Sequence, residues 1–306
     1  MRVATIDIGT NTVLLLVAER GVDGVLRAVE ERATITRLGE GVDRTKRLTP
    51  AAIERTRACL EDYAGVVRRA GADRVAVVGT SAMRDAGGGE AVRESVHAAL
   101  GVEARVVSGE EEARLTFLGA VSGLPLDAPG AVVVFDIGGG STEVVIGLPG
   151  HPPALAFAES FDVGSVRLTE RHVAHDPPTP AERDVITRAA RDAFARVPAL
   201  PDAQVPIGIA GTVTTLAAVA LALVPYDGAR IHGHVMARGD LEAVVERLAG
   251  LDLASRRVVP GMEPKRADVI VAGGLIALAL VDHWGARAVR VSDRGVRWGL
   301  AEELAA

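Results

Sequence analysis

Asp7-Ile8-Gly9-Thr10-Asn11-Thr12, near the start of the chain, returns altered but recognisable as Asp136-Ile137-Gly138-Gly139-Gly140-Ser141-Thr142. Each copy follows an apolar, β-branched run (Val3 to Ile6; Val132 to Phe135) and precedes another (Val13 to Val17; Val144 to Ile146). A strand that stops at aspartate, turns through glycine beside hydroxyl or amide side chains, and resumes as a strand reads as a phosphate loop within a β-hairpin. Glycine lets backbone N–H groups converge on anionic oxygens, and the aspartate can hold a cation or a water beside them. One copy alone would read as an Asp-Gly hairpin turn. Two matching copies favour phosphate binding and predict two related domains facing one cleft, each gripping a polyanion from its own side.

Composition fits that plan. The 306 residues leave room for two domains of about 150, each with its own core. Hydrophobic residues make up 48% and aromatics 3%, so the cores must be Val, Leu, Ala and Ile. The lone Cys59 excludes an internal disulfide and suits a reducing compartment. It stands beside Leu60 in a predicted helix and reads as a buried structural thiol. Asp7 interrupts the only apolar stretch of the N-terminus, which therefore lacks a signal-peptide pattern. The run Val269 to Val281, closed by Asp268 and Asp282, is too short to cross a bilayer and predicts a buried helix. A cytoplasmic protein with no membrane partner is expected. The net charge of −6 argues against nucleic acid as a partner. It still permits a local cationic cleft for a phosphorylated substrate. Lysine occurs only at Lys46 and Lys265. Arginine suits phosphate oxygens, but codon bias accounts for its excess more simply.

The pattern of elements repeats. The first half opens with strands at Val3 to Asp7, Val13 to Ala18 and Val25 to Glu31. A helix follows with Thr49 as N-cap and Pro50 at its first position, and Ile53, Leu60, Ala64 and Val67 share one face. Then come a strand (Val75 to Val78), a helix (Glu90 to Leu100), a strand (Glu103 to Val107) and a helix from Glu110. Gly123-Leu124-Pro125, with Pro129-Gly130 behind it, marks the boundary between domains 1–124 and 125–306. The second half repeats the opening at Ala131 to Asp136, Glu143 to Ile146 and Ala154 to Ser160. A helix starts at Thr179-Pro180, with Glu182 completing a capping box. A strand (Val205 to Ile209) runs into Ala210-Gly211-Thr212, and a helix follows. A long helix from Ala267, a strand (Ala288 to Ser292) and a helix over 296–304, free to pack back on the first domain, close the chain. Three meandering strands and then alternating helix and strand, twice over, give the duplicated α/β architecture of actin, hexokinase and Hsp70, a ribonuclease H-like plan with an interdomain cleft.

Several stretches together carry a specific resemblance. They are Asp7-Ile-Gly-Thr-Asn-Thr12, Arg37-Leu-Gly-Glu-Gly41, Gly79-Thr-Ser-Ala-Met-Arg-Asp85, Ser108-Gly-Glu-Glu-Glu-Ala-Arg114 and Asp136-Ile-Gly-Gly-Gly-Ser-Thr-Glu143. Ala210-Gly-Thr-Val-Thr-Thr215, Arg266-Ala-Asp268 and Ser292-Asp293 complete the set. In this order, over nearly the whole chain, they resemble the exopolyphosphatase / guanosine pentaphosphate phosphohydrolase (Ppx/GppA) family. The chain ends near residue 306, without the helical C-terminal extension of the longest members, and so resembles the short, two-domain branch. The resemblance implies hydrolysis of terminal phosphate from polyphosphate, with short chains preferred, and a homodimer is expected.

Hydrolysing a phosphoanhydride needs an aimed water, a group to orient or deprotonate it, and positive charge on the oxygens. Ser108 and Glu111 have capping-box spacing, which gives Glu111 a structural task. Successive helical residues diverge by about 100°, so Glu110, Glu111 and Glu112 cannot all face one site. Spacing alone leaves open a merely electrostatic role for all three at the helix N-terminus. The resemblance implies that Glu112, directly before Ala-Arg, is the catalytic base. Asp7, Asp136 and Glu143 are expected around one phosphoryl group, which implies Mg²⁺ or Mn²⁺ between them, with Glu143 also in the catalytic set. Thr10, Asn11, Gly138, Gly139, Gly140, Ser141, Thr142, Gly211 and Thr212 are expected phosphate donors. Arg84 is an expected phosphate clamp, with pairing to Asp85 as its structural alternative. Arg266 resembles a family position, with Asp268 as a possible partner. Ala272-Gly273-Gly274 reads as close helix packing. His232 and His234 would share a face if strand-borne, yet no third His or Cys nearby supports a metal site. The nearest alternative activity is guanosine pentaphosphate 5′-phosphohydrolase. A small-molecule kinase and a non-catalytic polyphosphate-binding protein stand further off.

Overall fold

In the computed structural model, which describes residues 1–124, 130–150, 152–200 and 205–306, the chain divides into two units. The first comprises Met1–Gly119 and Val296–Ala306, the second Ala120–Gly295. Most of the expected break around Pro125 and Pro129 lies outside the described residues.

The first unit is built on the Asp7 hairpin. Strands β1 (Arg2–Ile8), β2 (Thr12–Arg20) and β3 (Leu26–Ile35) form an antiparallel meander. Strands β4 (Arg74–Gly79) and β5 (Ala104–Val106) extend the sheet in parallel on the other side of β1, giving the order β3-β2-β1-β4-β5. The connecting helices are α1 (Val42–Thr45), α2 (Pro50–Ala70), α3 (Ser81–Asp85), α4 (Gly89–Leu100) and α5 (Gly109–Val121). Helix α2 starts as its sequence predicts, with Thr49 Oγ1 accepting from Ala52 N at 3.2 Å and Pro50 behind it. Cys59, Leu60, Tyr63 and Val67 on its inner face join Ile6, Val13 and Leu15 of the sheet in one core.

The second unit repeats the plan. Strands β6 (Val132–Ile137), β7 (Thr142–Leu148) and β8 (Ala154–Phe161) form the meander. After α6 (Ser165–His172) and α7 (Pro180–Phe194), β9 (Ile207–Ile209) pairs parallel with β6 and leads into α8 (Ala210–Ala220). Then follow α9 (Gly228–Ile231), β10 (Val235–Ala237), α10 (Arg238–Ala249), α11 (Leu253–Arg257), α12 (Ile270–His283) and β11 (Ala288–Val291). The order β10-β11-β9-β6-β7-β8 is the first sheet's order with β10 added at one edge. The two sheets thus share the duplicated α/β plan of actin-like proteins.

Helix α12 is buried around nearly its whole circumference, as its apolar run predicts. A Cβ on Gly273 would lie 2.5 Å from Thr212 of α8, and one on Gly274 2.5 Å from Val245 of α10. The paired glycines therefore serve close packing. The last helix, α13 (Val296–Leu304), belongs to the first unit. There Trp298 and Ala301 pack with Val3, Leu16 and Ala18, and Thr5 Oγ1 donates to Arg297 O at 2.8 Å. Among the described residues no helix is long and apolar enough to cross a membrane.

Candidate active site

Both hairpin turns close in the same way. Gly9 N donates to Thr12 O at 3.0 Å, and Gly138 N donates to Ser141 O at 3.0 Å. What happens to the remaining carbonyls decides where the N–H groups go.

In the first unit, Thr10 O accepts from Gly39 N at 2.8 Å, and Asn11 O accepts from Thr36 N and Arg37 N at 3.1 and 3.0 Å. Across a trans peptide the C=O and the next N–H point in opposite directions. The Asn11 N–H therefore faces away from the 36–39 segment. Asn11 Nδ2 is buried without a hydrogen-bond partner among the described residues, and its natural complement is an anionic oxygen. The Thr10 hydroxyl hydrogen-bonds Ser81 Oγ at 2.7 Å, which ties the turn to α3. Asp7 is buried at the end of β1, between Leu14 of β2 and Val78 of β4.

Helix α3 carries Arg84 to Glu112. Arg84 Nη1 donates to Glu112 Oε2 at 2.8 Å and to Val107 O at 3.2 Å, while Nε lies 3.4 Å from Asp85 Oδ1. The three consecutive glutamates diverge as helical geometry requires. Glu110 is exposed, Glu111 pairs with Arg105, and Glu112 is only 6% exposed. Ser108 Oγ accepts from Glu111 N at 3.1 Å, which is one half of the expected capping box, while the Glu111 side chain goes to Arg105 instead of back to Ser108. A carboxylate so deeply buried needs a compensating charge, and Arg84 supplies it.

In the second unit the turn is held by α6. Gly138 O accepts from Ser165 N at 2.9 Å, and Gly139 O from Val166 N and Arg167 N at 2.9 and 3.0 Å. Gly140 O accepts from Arg167 Nε at 2.6 Å. With these three carbonyls turned toward α6, the N–H groups of Gly139, Gly140 and Ser141 point the opposite way and form a nest for an anion. Gly164 permits the approach, since a Cβ there would lie 2.5 Å from the Gly140 carbonyl carbon. The Thr142 and Thr212 hydroxyls donate inward, to Val163 O at 2.5 Å and Ile137 O at 2.9 Å. These two fix the turn with their side chains.

Strand β9 ends at Ile209, and the left-handed φ of 64° at Ala210 bends the chain sharply into Gly211. The Arg266 guanidinium lies directly over Gly211, where no Cβ would fit. Burial holds the Arg266 pKa below its ordinary value, opposed by Glu263, Tyr226 and Asp136. Arg266, Gly211 and Asp136 therefore gather at one end of the sheet.

Asp136 and Glu143 are directly opposite on β6 and β7, and such partners share a face of the sheet. Glu143 is 2% exposed and accepts from Ser160 Oγ of β8 at 2.7 Å. This hard oxygen donor set fits Mg²⁺ or Mn²⁺, which need only one or two protein carboxylates beside waters and phosphate oxygens. Among the described residues no group of three or more His, Cys, Asp or Glu surrounds one point, and Asp7 belongs to the other unit. His232 caps α9, and β10 begins only at Val235, so His232 and His234 are not alternate strand residues. Instead His232 Nδ1 lies 3.0 Å from Asp293 Oδ1.

Sequence reasoning missed Ser81, Ser160 and Arg167. The signal available for Arg167 was Gly164-Ser165 ahead of an amphipathic stretch, a helix start. Nothing in the sequence pattern marks Ser160, because only strand register places it against Glu143.

Comparison with known proteins matches these features to one family. The model of the Ppx/GppA phosphatase family matches residues 16–305. Exopolyphosphatase 2 of Mycobacterium tuberculosis is 41% identical over 320 aligned positions, covering 99% of this chain and 98% of that protein. The crystal structure of an exopolyphosphatase-like protein superposes with a TM-score of 0.91 at 34% identity, covering 99% of this chain and 97% of the other. That of the Aquifex aeolicus Ppx/GppA family member gives a TM-score of 0.83 at 33% identity, covering 100% and 97%. The chain belongs to the Ppx/GppA phosphatase family.

Proposed function

We propose that this protein is an exopolyphosphatase, which hydrolyses the terminal phosphoanhydride of inorganic polyphosphate and releases orthophosphate. The chemistry rests on one observation above all: Glu112 is a buried carboxylate held 2.8 Å from Arg84. The full-length similarity to a protein named Exopolyphosphatase 2 supports polyphosphate as the substrate.

Glu112 orients the attacking water and takes its proton. Arg84 has five N–H donors, so it can turn part of its fork to phosphate oxygens as the anion arrives, loosening its hold on Glu112. In the first unit Thr10 and Asn11 donate to phosphate oxygens. In the second the N–H groups of Gly139, Gly140 and Ser141 do so, with Arg266 above Gly211. Asp136 and Glu143 of the second unit would hold Mg²⁺ or Mn²⁺, which would supply neutralising charge to phosphate oxygens when bound. Among the described residues each unit offers one hairpin turn of N–H donors for a terminal phosphate, and short chains are the preferred substrates in this reading. A homodimer in the cytoplasm is part of this reading; the lone, buried Cys59 suits a reducing compartment.

Phosphate release from short polyphosphate, long polyphosphate, guanosine pentaphosphate and ATP, assayed in parallel, tests the proposal. Polyphosphate should have the highest kcat/KM. Preference for guanosine pentaphosphate would make the protein a 5′-phosphohydrolase. ATP turnover that requires an acceptor would make it a kinase, and no release from any of the four would leave only binding.

A further inference from the structure

We propose that segment 37–47 of the first unit is a second anion-binding edge, which takes the phosphates behind the terminal one in a polyphosphate chain. The inference rests on polyphosphate being the substrate. In a protein of net charge −6, this segment carries Arg37, Arg44, Lys46 and Arg47 against Glu40 and Asp43. Glu40 is paired with Arg55 of α2 at 2.9 Å, and Asp43 lies 3.9 Å from Lys46. Arg44, Lys46 and Arg47 are all exposed.

A charged run is ordinarily just a solvated face. This one is fastened at both ends to elements of the candidate site. At its start, the N–H groups of Thr36, Arg37 and Gly39 bind the carbonyls of Asn11 and Thr10. At its end, Gly87 N donates to Lys46 O and Leu48 N to Gly87 O, both at 2.9 Å, and Arg47 bridges to Gly87 just beyond the helix that carries Arg84. Arg55 donates to Thr36 O at 2.6 Å and to Arg37 O at 3.3 Å, which fixes the first bend. Arg37 and Lys46 both adopt left-handed backbone, with φ of 52° and 55°, a conformation that side chains other than glycine's disfavour. The cations are thus mounted on a set backbone that runs from the Thr10–Asn11 turn to Gly87.

The chemistry of the ligand matches. An internal phosphate of the polymer carries one charge and few free oxygens, so point cations recognise it adequately. The terminal phosphate, with more oxygens, requires converging N–H donors. A turn of donors followed by a row of cations is the order such a chain presents.

The test replaces Arg44, Lys46 and Arg47 together by Gln and compares tripolyphosphate with long polyphosphate. KM for the long polymer should rise about tenfold, the combined weight of three screened surface contacts. Its kcat and the KM for tripolyphosphate should each stay within about twofold. The slope of log(kcat/KM) against log salt for the long polymer should fall by about 2, at roughly 0.7 per lost contact. Exchanging Arg44 and Arg47 for Lys, and Lys46 for Arg, should restore the wild-type KM. No change with the long polymer, or an equal rise for both substrates, would overturn the proposal. So would single-stranded DNA that binds as tightly as polyphosphate and is released by the same substitutions. Titration calorimetry of Glu112→Gln with long polyphosphate separates binding from turnover. Should the wild type neither hydrolyse nor bind polyphosphate, the substrate reading falls and the edge with it. Hydrolysis of both lengths with no length-dependent shift removes the edge alone.

Discussion

Glu112 and Arg84 hold each other in place, and their substitutions should therefore fail in different ways. Glu112→Gln keeps the side chain's size and an oxygen for Arg84 but cannot take a proton. Turnover should fall by roughly 10²-fold or more with polyphosphate affinity preserved, measured by steady-state kinetics and by titration. Wild-type turnover in that variant would remove Glu112 from the mechanism. Arg84→Lys keeps the charge but loses the fork, so kcat/KM should drop about tenfold or more while the fold holds. Arg84→Met leaves a carboxylate that is 6% exposed without its strongest neighbour, so thermal stability should fall too, by about 2 kcal/mol. Glu111→Gln is the control. Its partner Arg105 is half-exposed, and less than about 1 kcal/mol should be lost with turnover unchanged.

At the scale of elements, the α6 junction and the α7 cap make separate claims. Gly164→Ala would press a methyl group against the Gly139–Gly140 backbone and push the turn off α6. Overpacking there should remove about 1–3 kcal/mol of stability and should raise KM, because the N–H nest is held open by those same carbonyl contacts. Unchanged KM would mean that the nest is not used. The cap of α7 is a pH device with a defined sign. Hydrogen bonds from His175, then from the backbone of Ala174 and Thr179, hold the Glu182 carboxyl at about 2, below its ordinary 4.5. A depressed folded-state value gives stability that is present above about pH 4.5 and lost as pH falls toward 2. Glu182→Gln should therefore lower the unfolding temperature at neutral pH, and the gap from wild type should close over that window. A gap that persists undiminished to pH 2 would contradict the cap's assignment.

Elements whose signals are local in sequence were the legible ones. The α7 cap was legible because Thr179-Pro180 and Glu182 are local in sequence. The two hairpins were legible because strand, glycine and strand follow one another directly in sequence. Long-range register was not. Ser160 meets Glu143 only through the pairing of β7 with β8, and Ser81 meets Thr10 only through the β1–β4 crossover. Arg256, 2% exposed, binds Leu251 O, Ala267 O and Asp176, and no periodicity could announce an arginine inside.

For the molecule as a whole the governing quantity is charge. A protein with 40 acidic and 34 basic residues has to accept a polyanion, and its candidate site adds Asp136 and Glu143 facing the same way from adjacent strands. Arg84 is already occupied by Glu112, and Arg266 lies among Asp136, Glu263 and Tyr226, so the arginines alone leave the phosphate charge poorly matched. Activity should accordingly disappear in EDTA and return with Mg²⁺ or Mn²⁺. A second readout does not depend on turnover. An ion that binds only the folded state stabilises it by mass action, by about 2.7 kcal/mol at a hundredfold excess over Kd. Mg²⁺ should therefore raise the unfolding temperature of the wild type and raise it much less in Asp136→Asn or Glu143→Gln. Equal shifts in all three proteins would move the ion to other residues. Full activity in chelator would mean that arginine and backbone donors carry the whole phosphate charge, and the divalent ion would have no place in the mechanism.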